Sequence, residues 1–146
     1  RLTRQKLPSI HQPSDFQCGR GIILKEGGDI ALIGTGSTVN ECLKASKALS
    51  NINPWIIDIH TIKPIDRALV KTLARRCKVI VTAEDHNIVG GLGTAISEVL
   101  AEEGWGGKLV RLGVQDVYGE SGVPDELYEK YGFSANQIVQ KVMSLI

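Results

Sequence analysis

The chain has 146 residues, of which 42% are apolar, and this is the size of one ordinary domain with one hydrophobic core. Lys and Arg number 17 against 16 Asp and Glu, so the net charge of +1 gives no broad positive field for nucleic acid or an anionic membrane. No apolar run approaches the roughly 20 residues that span a bilayer, and the first residues lack a signal peptide's apolar stretch, so we expect a cytoplasmic protein.

Residues 1–18 are predicted to form a linker that leads into a domain at residues 19–146. The linker segment is polar, contains two prolines and has no sustained apolar period. From Gly21 onward, short β-branched runs alternate with segments of helical period, which is typical of a layered α/β fold. The predicted strands are Gly21–Lys25, Ile30–Gly34, Trp55–Ile59, Val79–Ala83 and Leu109–Leu112.

The connections between these strands predict how they pair. A tight turn at residues 26–29 joins the first two strands, so they could form a hairpin in which the first strand is an antiparallel edge. Helical segments with apolar residues at i, i+3, i+4 and i+7 separate the later strands and imply that those strands are parallel. These segments begin near Val39, Leu69 and Leu92, and two more helices are predicted near Pro124 and from Ser134. We therefore predict a three-layer α/β/α fold with a five-stranded, mostly parallel sheet and one antiparallel edge strand.

The cysteines do not indicate a catalytic or metal site. Cys18, Cys42 and Cys77 are odd in number and far apart, which fits neither a disulfide framework nor a zinc site. Cys42 falls on the apolar face of a predicted helix, where a reduced cysteine acts as a small core residue.

Two glycine-rich loops, at residues 34–37 and 90–93, each follow a predicted strand and open a predicted helix. Backbone N–H groups at such a helix start can bind phosphate, which leaves a nucleotide- or phosphate-binding regulatory module as one alternative. However, Val39 stands where a dinucleotide fingerprint has its third glycine, and neither loop has an adjacent Lys or Arg. A tight turn with Ser37 as the N-cap accounts for all four residues of the first loop, and both loops therefore favour a structural role over ligand binding.

Glu84, Asp85 and His86 follow a predicted buried strand, and His60 ends another one. Polar residues at the carboxyl ends of parallel strands lie where α/β proteins bind ligands or partners. Such a cluster could carry out acid–base chemistry, because imidazole titrates near neutral pH. A hydrogen-bonded cluster at a subunit or domain interface is the alternative, because adjacent residues rarely point at one substrate atom. We therefore expect an interface or site-edge cluster, and His60 could lie beside His86.

Three separated segments resemble transketolases. They are Thr3–Pro8 (TRQKLP), the central DIHTIKPID at Asp58–Asp66 with EDHN-x-x-GG-x-GTA at Glu84–Ala95, and Y-G-E-S-G-x-P-x-E-L-Y-x-K-Y-G-F at Tyr118–Phe133. Together they span the chain, in the order of the C-terminal domain of that family. The resemblance implies that residues 1–18 are the linker from a preceding pyrimidine-binding domain.

The resemblance implies part of an enzyme of the pentose phosphate pathway that moves a two-carbon ketol unit from a ketose phosphate to an aldose phosphate. Transketolases use thiamine diphosphate and magnesium, which the earlier domains hold across a homodimer interface. The segments that carry those ligands have no counterpart here, so we expect this chain to have a structural role, to hold neither cofactor, and to be inactive alone. Its expected partners are the remaining transketolase domains and sugar phosphates.

One substrate contact is implied by the first motif. In the family, the arginine of SRQ-x-LP binds the phosphate end of the sugar, and the matching residue here is Arg4, with Thr3 in place of serine. No catalytic residue is carried over. Related deoxyxylulose-phosphate synthases and beta subunits of 2-oxoacid dehydrogenases share the domain type and match these motifs less well, so they stay as alternatives.

Overall fold

The computed structural model describes residues 5–12 and 16–146, and its centre is a five-stranded sheet. The strands are β1 (Ile22–Lys25), β2 (Ile30–Gly34), β3 (Trp55–Asp58), β4 (Val79–Asn87) and β5 (Lys108–Val114). Their order across the sheet is β1-β3-β2-β4-β5. The β1–β3 pair is antiparallel, and the pairs β3–β2, β2–β4 and β4–β5 are parallel. The predicted mostly parallel sheet with one antiparallel edge strand is confirmed.

Helices cover both faces of this sheet, which confirms the three-layer prediction. The helices are α1 (Thr38–Ala48), α2 (Arg67–Arg76), α3 (Leu92–Glu102), α4 (Pro124–Lys130) and α5 (Ala135–Met143). Alternate residues of β2 enter opposite cores, because successive side chains of a strand point to opposite faces. Ala31 and Ile33 pack with α2 and α3, whereas Ile30 and Leu32 pack with α1 and α5.

The predicted hairpin between β1 and β2 is wrong, because β1 pairs with β3 instead. The residues between β1 and β2 bend toward the segment that precedes β3. Gly28 N donates to Asn53 O at 2.8 Å, and the Trp55 indole Nε1 donates to Gly28 O at 2.8 Å. Because of these contacts, the chain continues beyond β3 after β1. Strand β2 is then fully buried between its two parallel neighbours, β3 and β4. The pairing of β1 with β3 is irregular between Ile23 and Lys25.

Strand β4 is longer than predicted, since it continues through Glu84, Asp85 and His86 to Asn87. Its register with β5 shifts between Ala83 and Asn87, as in a bulge. Gly113 of β5 permits the close approach, because a Cβ there would lie 2.8 Å from His86 O and 2.9 Å from Glu84 O. Glu84, Asp85 and His86, which were predicted to follow the strand, are therefore part of it.

The start of α1 differs from the prediction that Ser37 caps this helix. Ser37 occupies the N-cap position but its side chain makes no capping hydrogen bond. The Thr38 hydroxyl accepts from Thr35 N at 3.1 Å and donates to Ala83 O at 2.6 Å, so Thr38 fastens the turn to β4.

The three cysteines are free thiols, and Cys42 is buried in the core as predicted. Burial raises the pKa of Cys42 to about 12, which removes its nucleophilic thiolate form at neutral pH. None of the helices within residues 5–12 and 16–146 combines the length and apolar composition that crossing a bilayer requires.

Candidate functional site

A cleft of about 740 Å³ lies at the carboxyl edge of the parallel strands. It is lined by the loop after β2 at residues 35–37, by His60 after β3, by residues 84–86 of β4 and by Gly90 and Gly91 before α3. Leu7 of the N-terminal segment also lines it. The structure therefore gathers the four residues of the predicted polar cluster and both glycine-rich loops around one cleft. This position is where open parallel sheets usually bind ligands or partners.

Glu84 has a structural role at this cleft. Its side chain is buried at 1% exposure, and its carboxylate accepts from Leu92 N at 2.7 Å and from Gly93 N at 2.9 Å. These amides belong to the first turn of α3, where N–H groups lack partners within the helix and the dipole favours negative charge. Gly91 makes room for the carboxylate, since a Cβ there would lie 1.8 Å from Glu84 Oε2.

The other three residues of the cluster differ in environment. Asp85 and His86 are exposed, and His86 Nδ1 donates to Asn87 O at 2.7 Å. His60 Nδ1 lies 2.9 Å from the Thr61 hydroxyl, and the His60 ring contacts the Phe16 ring at 4.5 Å between centroids. The strand that precedes His60 and the strand that contains His86 are not neighbours, because β2 separates β3 from β4. The histidines therefore share the cleft without belonging to adjacent strands.

A contact between His11 and Asp58 fastens the N-terminal segment to β3. His11 Nε2 and Asp58 Oδ2 are hydrogen-bonded at 2.7 Å, and the two residues are 47 apart in sequence. Sequence reasoning missed this pair and gave His11 no role. The available signal was Asp58 itself, because a carboxylate inside a buried apolar strand requires a polar partner.

Burial raises the pKa of Asp58, and the hydrogen bond and charge of His11 partly offset that effect. Among the described side chains, Asp58 Oδ1, His11 Nδ1 and His60 Nε2 are buried without a hydrogen-bond partner. The incomplete pairing is consistent with a carboxyl group whose ionised form is disfavoured by its surroundings.

This pKa direction gives a testable pH dependence of stability. A carboxyl pKa that is higher in the folded than in the unfolded state contributes stability below its unfolded value, and this is lost as pH rises through the folded value. Relative to wild type, the Asp58→Asn variant should therefore gain unfolding free energy as the pH rises above the unfolded pKa of about 4. Urea unfolding of both proteins from that pH upward measures the difference. A constant difference, or one that moves the other way, would contradict the assigned direction.

Arg4 lies outside the described residues. Gln5, which follows it, is held by the domain, since the Tyr128 hydroxyl donates to Gln5 Oε1 at 2.8 Å. Tyr128 belongs to α4 and was not singled out from the sequence. No local sequence pattern indicates a contact between residues that are 123 positions apart in the chain.

The cleft does not fit thiamine diphosphate with its metal ion. In the described part of the chain, no group of three or more His, Cys, Asp and Glu side chains could hold a metal. The amides at the start of α3 that could bind a diphosphate are occupied by the Glu84 carboxylate. Glu84 and Asp85 would also repel a second anion at this edge. We therefore derive no reaction step through that cofactor from these residues.

Comparison with known proteins gives consistent results. Residues 19–138 match the family described as transketolase, C-terminal domain. A Methanocaldococcus jannaschii protein that carries the name of a transketolase C-terminal section is 39% identical over 148 residues, a match that covers 98% of this chain and 46% of that protein. A 1-deoxy-D-xylulose-5-phosphate synthase of Geobacter metallireducens is 40% identical over 131 residues, covering 88% of this chain and 21% of the synthase.

A solved structure is similar over nearly the whole chain. It is described as a split gene transketolase in an inactive beta4 tetramer, with 41% identity and a TM-score of 0.89. The match covers 97% of this chain and 47% of the solved chain. This chain therefore spans less than half the length of the relatives and of the solved chain described above.

Proposed function

The chain belongs to the family of transketolase C-terminal domains, and from this premise we propose that it forms the C-terminal part of an enzyme that transfers a two-carbon ketol unit. The donor is a ketose phosphate and the acceptor an aldose phosphate. Thiamine diphosphate and magnesium bind to the other domains of that enzyme and supply the carbon–carbon bond chemistry. This chain supplies a folded support and one contact to the substrate.

The observation that carries the proposal is the family match over residues 19–138, supported by the similar solved chain whose description names a split transketolase gene. The cleft agrees with a supporting role. Glu84, the buried carboxylate that lines it, accepts hydrogen bonds from two backbone amides at the start of α3 and so holds that helix in place.

An assay of the isolated chain and of the complete enzyme tests this proposal. The 146-residue chain supplied with thiamine diphosphate and magnesium should give no ketol transfer, and addition of the remaining domains should give turnover. The reason is that the chain lacks a counterpart of the cofactor-binding segments. Measurable turnover by the isolated chain would contradict the proposal.

Arg4 is the proposed substrate contact, because a guanidinium binds phosphate through charge-assisted, often bidentate hydrogen bonds. In the complete enzyme, Arg4→Ala should raise the KM for sugar phosphates about 10- to 100-fold relative to the KM for unphosphorylated sugars. Steady-state kinetics with both substrate types measures this ratio. Lys6→Ala, which removes a positive charge two residues away, is the matched control and should change the ratio much less. Equal losses on both substrate types would exclude Arg4 from the phosphate site.

A deoxyxylulose-phosphate synthase is the second candidate, because the synthase of Geobacter metallireducens is as similar in identity over the matched region. The two candidates differ in product. Formation of 1-deoxy-D-xylulose 5-phosphate by the complete enzyme, without ketol transfer between sugar phosphates, would favour the synthase. Ketol transfer without that product would favour the transketolase.

The domain itself has a proposed role in subunit assembly as a homodimer. The loop between β5 and α4 exposes Val117, Tyr118 and Val123, and Tyr118 is 99% exposed. Exposed apolar side chains on one loop make that loop a candidate for a protein contact. Deletion of residues 19–146 from the complete enzyme should weaken dimer association in analytical ultracentrifugation. An unchanged dimer would contradict an assembly role.

A further inference from the structure

Residues 5–12 cross the carboxyl edge of the sheet between two attachments to the domain. At one end the Tyr128 hydroxyl donates to Gln5 Oε1 at 2.8 Å. At the other end His11 Nε2 and Asp58 Oδ2 are hydrogen-bonded at 2.7 Å. The segment has no helix or strand of its own, so its path is set by side-chain contacts such as these.

This segment forms part of the wall of the cleft. Leu7, which lies between the two attachments, lines the cleft together with residues 35–37 after β2. Tyr128 lies close to that loop, because Ser37 hydrogen-bonds the Tyr128 side chain. Asp58 ends β3, the strand that pairs with β2. The segment therefore runs from the end of β2 to the end of β3, along the side of the cleft at these two strand ends.

The attachment at Tyr128 is firm. Tyr128 is 6% exposed, and its ring packs against the Phe133 ring at 4.9 Å between centroids. The backbone oxygen of Tyr128 accepts from Phe133 N at 3.0 Å and from Ser134 N at 3.1 Å, which fixes the turn between α4 and α5. A buried and well-packed residue therefore holds the Gln5 end of the segment.

The attachment at Asp58 is less complete. The His11 side chain is 26% exposed, and among the described side chains His11 Nδ1 and Asp58 Oδ1 are buried without a hydrogen-bond partner. A buried polar group with some of its hydrogen bonds missing is less stable than a fully paired one. Asp58 also interacts electrostatically with His60, so release of His11 does not leave the carboxyl without a neighbouring imidazole. The His11 end is therefore the easier one to release.

We propose that residues 5–12 are a strap that restricts entry to the cleft from the side of β2 and β3, and that the contact between His11 and Asp58 is its releasable latch. The strap opens when His11 leaves Asp58, and it closes when the pair forms again, while Gln5 stays bonded to Tyr128. Such a local opening breaks few contacts and leaves both cores intact. The inference is independent of the proposed function, because it concerns access to the cleft and not the reaction.

Thiol labelling of the full 146-residue chain measures the opening. Thr35, which lines the cleft, is changed to cysteine as a reporter, and the exposed Cys18 is changed to serine. Burial raises the pKa of Cys42 to about 12 and that of Cys77 to about 11, so these thiols stay unreactive while the domain is folded. Adding His11→Ala should raise the labelling rate of the reporter about 5- to 30-fold, the size expected for loss of one hydrogen bond that holds the strap closed.

Two controls make the measurement specific to the strap. Thr35 bonds Thr38 through its backbone N and O, so the reporter keeps those contacts. Ser9→Ala changes an exposed residue within the strap and should leave the labelling rate within about twofold of the parent protein. In a separate protein His86→Cys places the reporter on β4, away from the strap, and its labelling rate should not change with His11→Ala.

A double-mutant cycle tests whether Asp58 is the partner that matters. Asp58→Asn removes the charge of the carboxylate and should raise the labelling rate less than His11→Ala does. In the His11→Ala protein, Asp58→Asn should have no further effect. Additive effects of the two substitutions would overturn the assignment of this pair as the latch.

The outcomes separate an open strap from a general loss of structure. Faster labelling of Thr35→Cys while Cys42 and Cys77 stay unreactive would support the proposal. An unchanged rate, or an equal increase at His86→Cys, would overturn it. Reaction of Cys42 and Cys77 at the same rate as the reporter would show that His11 stabilises the whole domain and would also overturn it.

Discussion

The Glu84→Ala variant is expected to lose about 3–5 kcal/mol of unfolding free energy. Glu84 accepts hydrogen bonds from Leu92 N and Gly93 N in a buried environment, and alanine leaves both amides without a partner. It also removes the negative charge that favours the start of α3. Urea unfolding monitored by circular dichroism measures the loss, and amide hydrogen exchange should show the first turn of α3 opening more readily.

Two further variants test whether the loss of stability arises from the contacts of Glu84 with α3. Glu84→Gln keeps one carbonyl oxygen as an acceptor without the charge, so its loss should lie between wild type and Glu84→Ala. Asp85→Ala changes the neighbouring exposed carboxylate and should cost less than about 1 kcal/mol. Equal effects of Glu84→Ala and Asp85→Ala would show that capping of α3 by Glu84 contributes little.

The Gly34→Ala variant is expected to lose about 2–4 kcal/mol of unfolding free energy. A Cβ at Gly34 would lie 2.7 Å from Val39 N and 2.8 Å from Val39 Cα. These are backbone atoms in the first turn of α1, and they cannot move aside as a flexible side chain can. Either the helix shifts away from β2 or the strand is displaced from its buried position. Thermal and urea unfolding measure the cost, and the amide shift of Val39 reports the displacement.

Gly106→Ala is the matched control for the substitution at Gly34. A Cβ at Gly106 would meet no atom within 4 Å, so the change should be within about 0.5 kcal/mol of wild type. A loss at Gly34 no larger than that at Gly106 would contradict the close packing of α1 on β2.

The layers of the fold were predictable because the apolar residues that become buried recur at regular intervals along the sequence. The i, i+3, i+4 spacing around Leu69 and Leu92 reflects one buried face on each of α2 and α3. The pairing of β1 was not predictable in the same way, because a short glycine turn is compatible with a hairpin and with a crossing to another strand. The choice is made by contacts of Gly28 with Asn53 and Trp55, which lie far along the chain.

The location of the site was predictable from the sequence, but the contacts of its individual residues were less so. Strand ends in parallel sheets share an edge, so His60 and residues 84–86 could be expected near one another. That Glu84 caps α3 could not be read from its position after a strand, because the extension of β4 and the bulge opposite Gly113 set its direction. The contact of Gln5 with Tyr128 depends on tertiary structure and carries no local signal. The buried position of Asp58 indicated that it needs a polar partner but did not indicate that the partner is His11.

The irregular, four-residue β1 strand has a consequence for the domain when it is made without its neighbours. An outer strand with open N–H and C=O groups can recruit another sheet and begin aggregation. Here that outer strand is brief, its register is broken between Ile23 and Lys25, and it ends on a lysine. A strand of this kind is a poor template for a second sheet, so the β1 edge of the domain should resist edge-to-edge pairing with another copy.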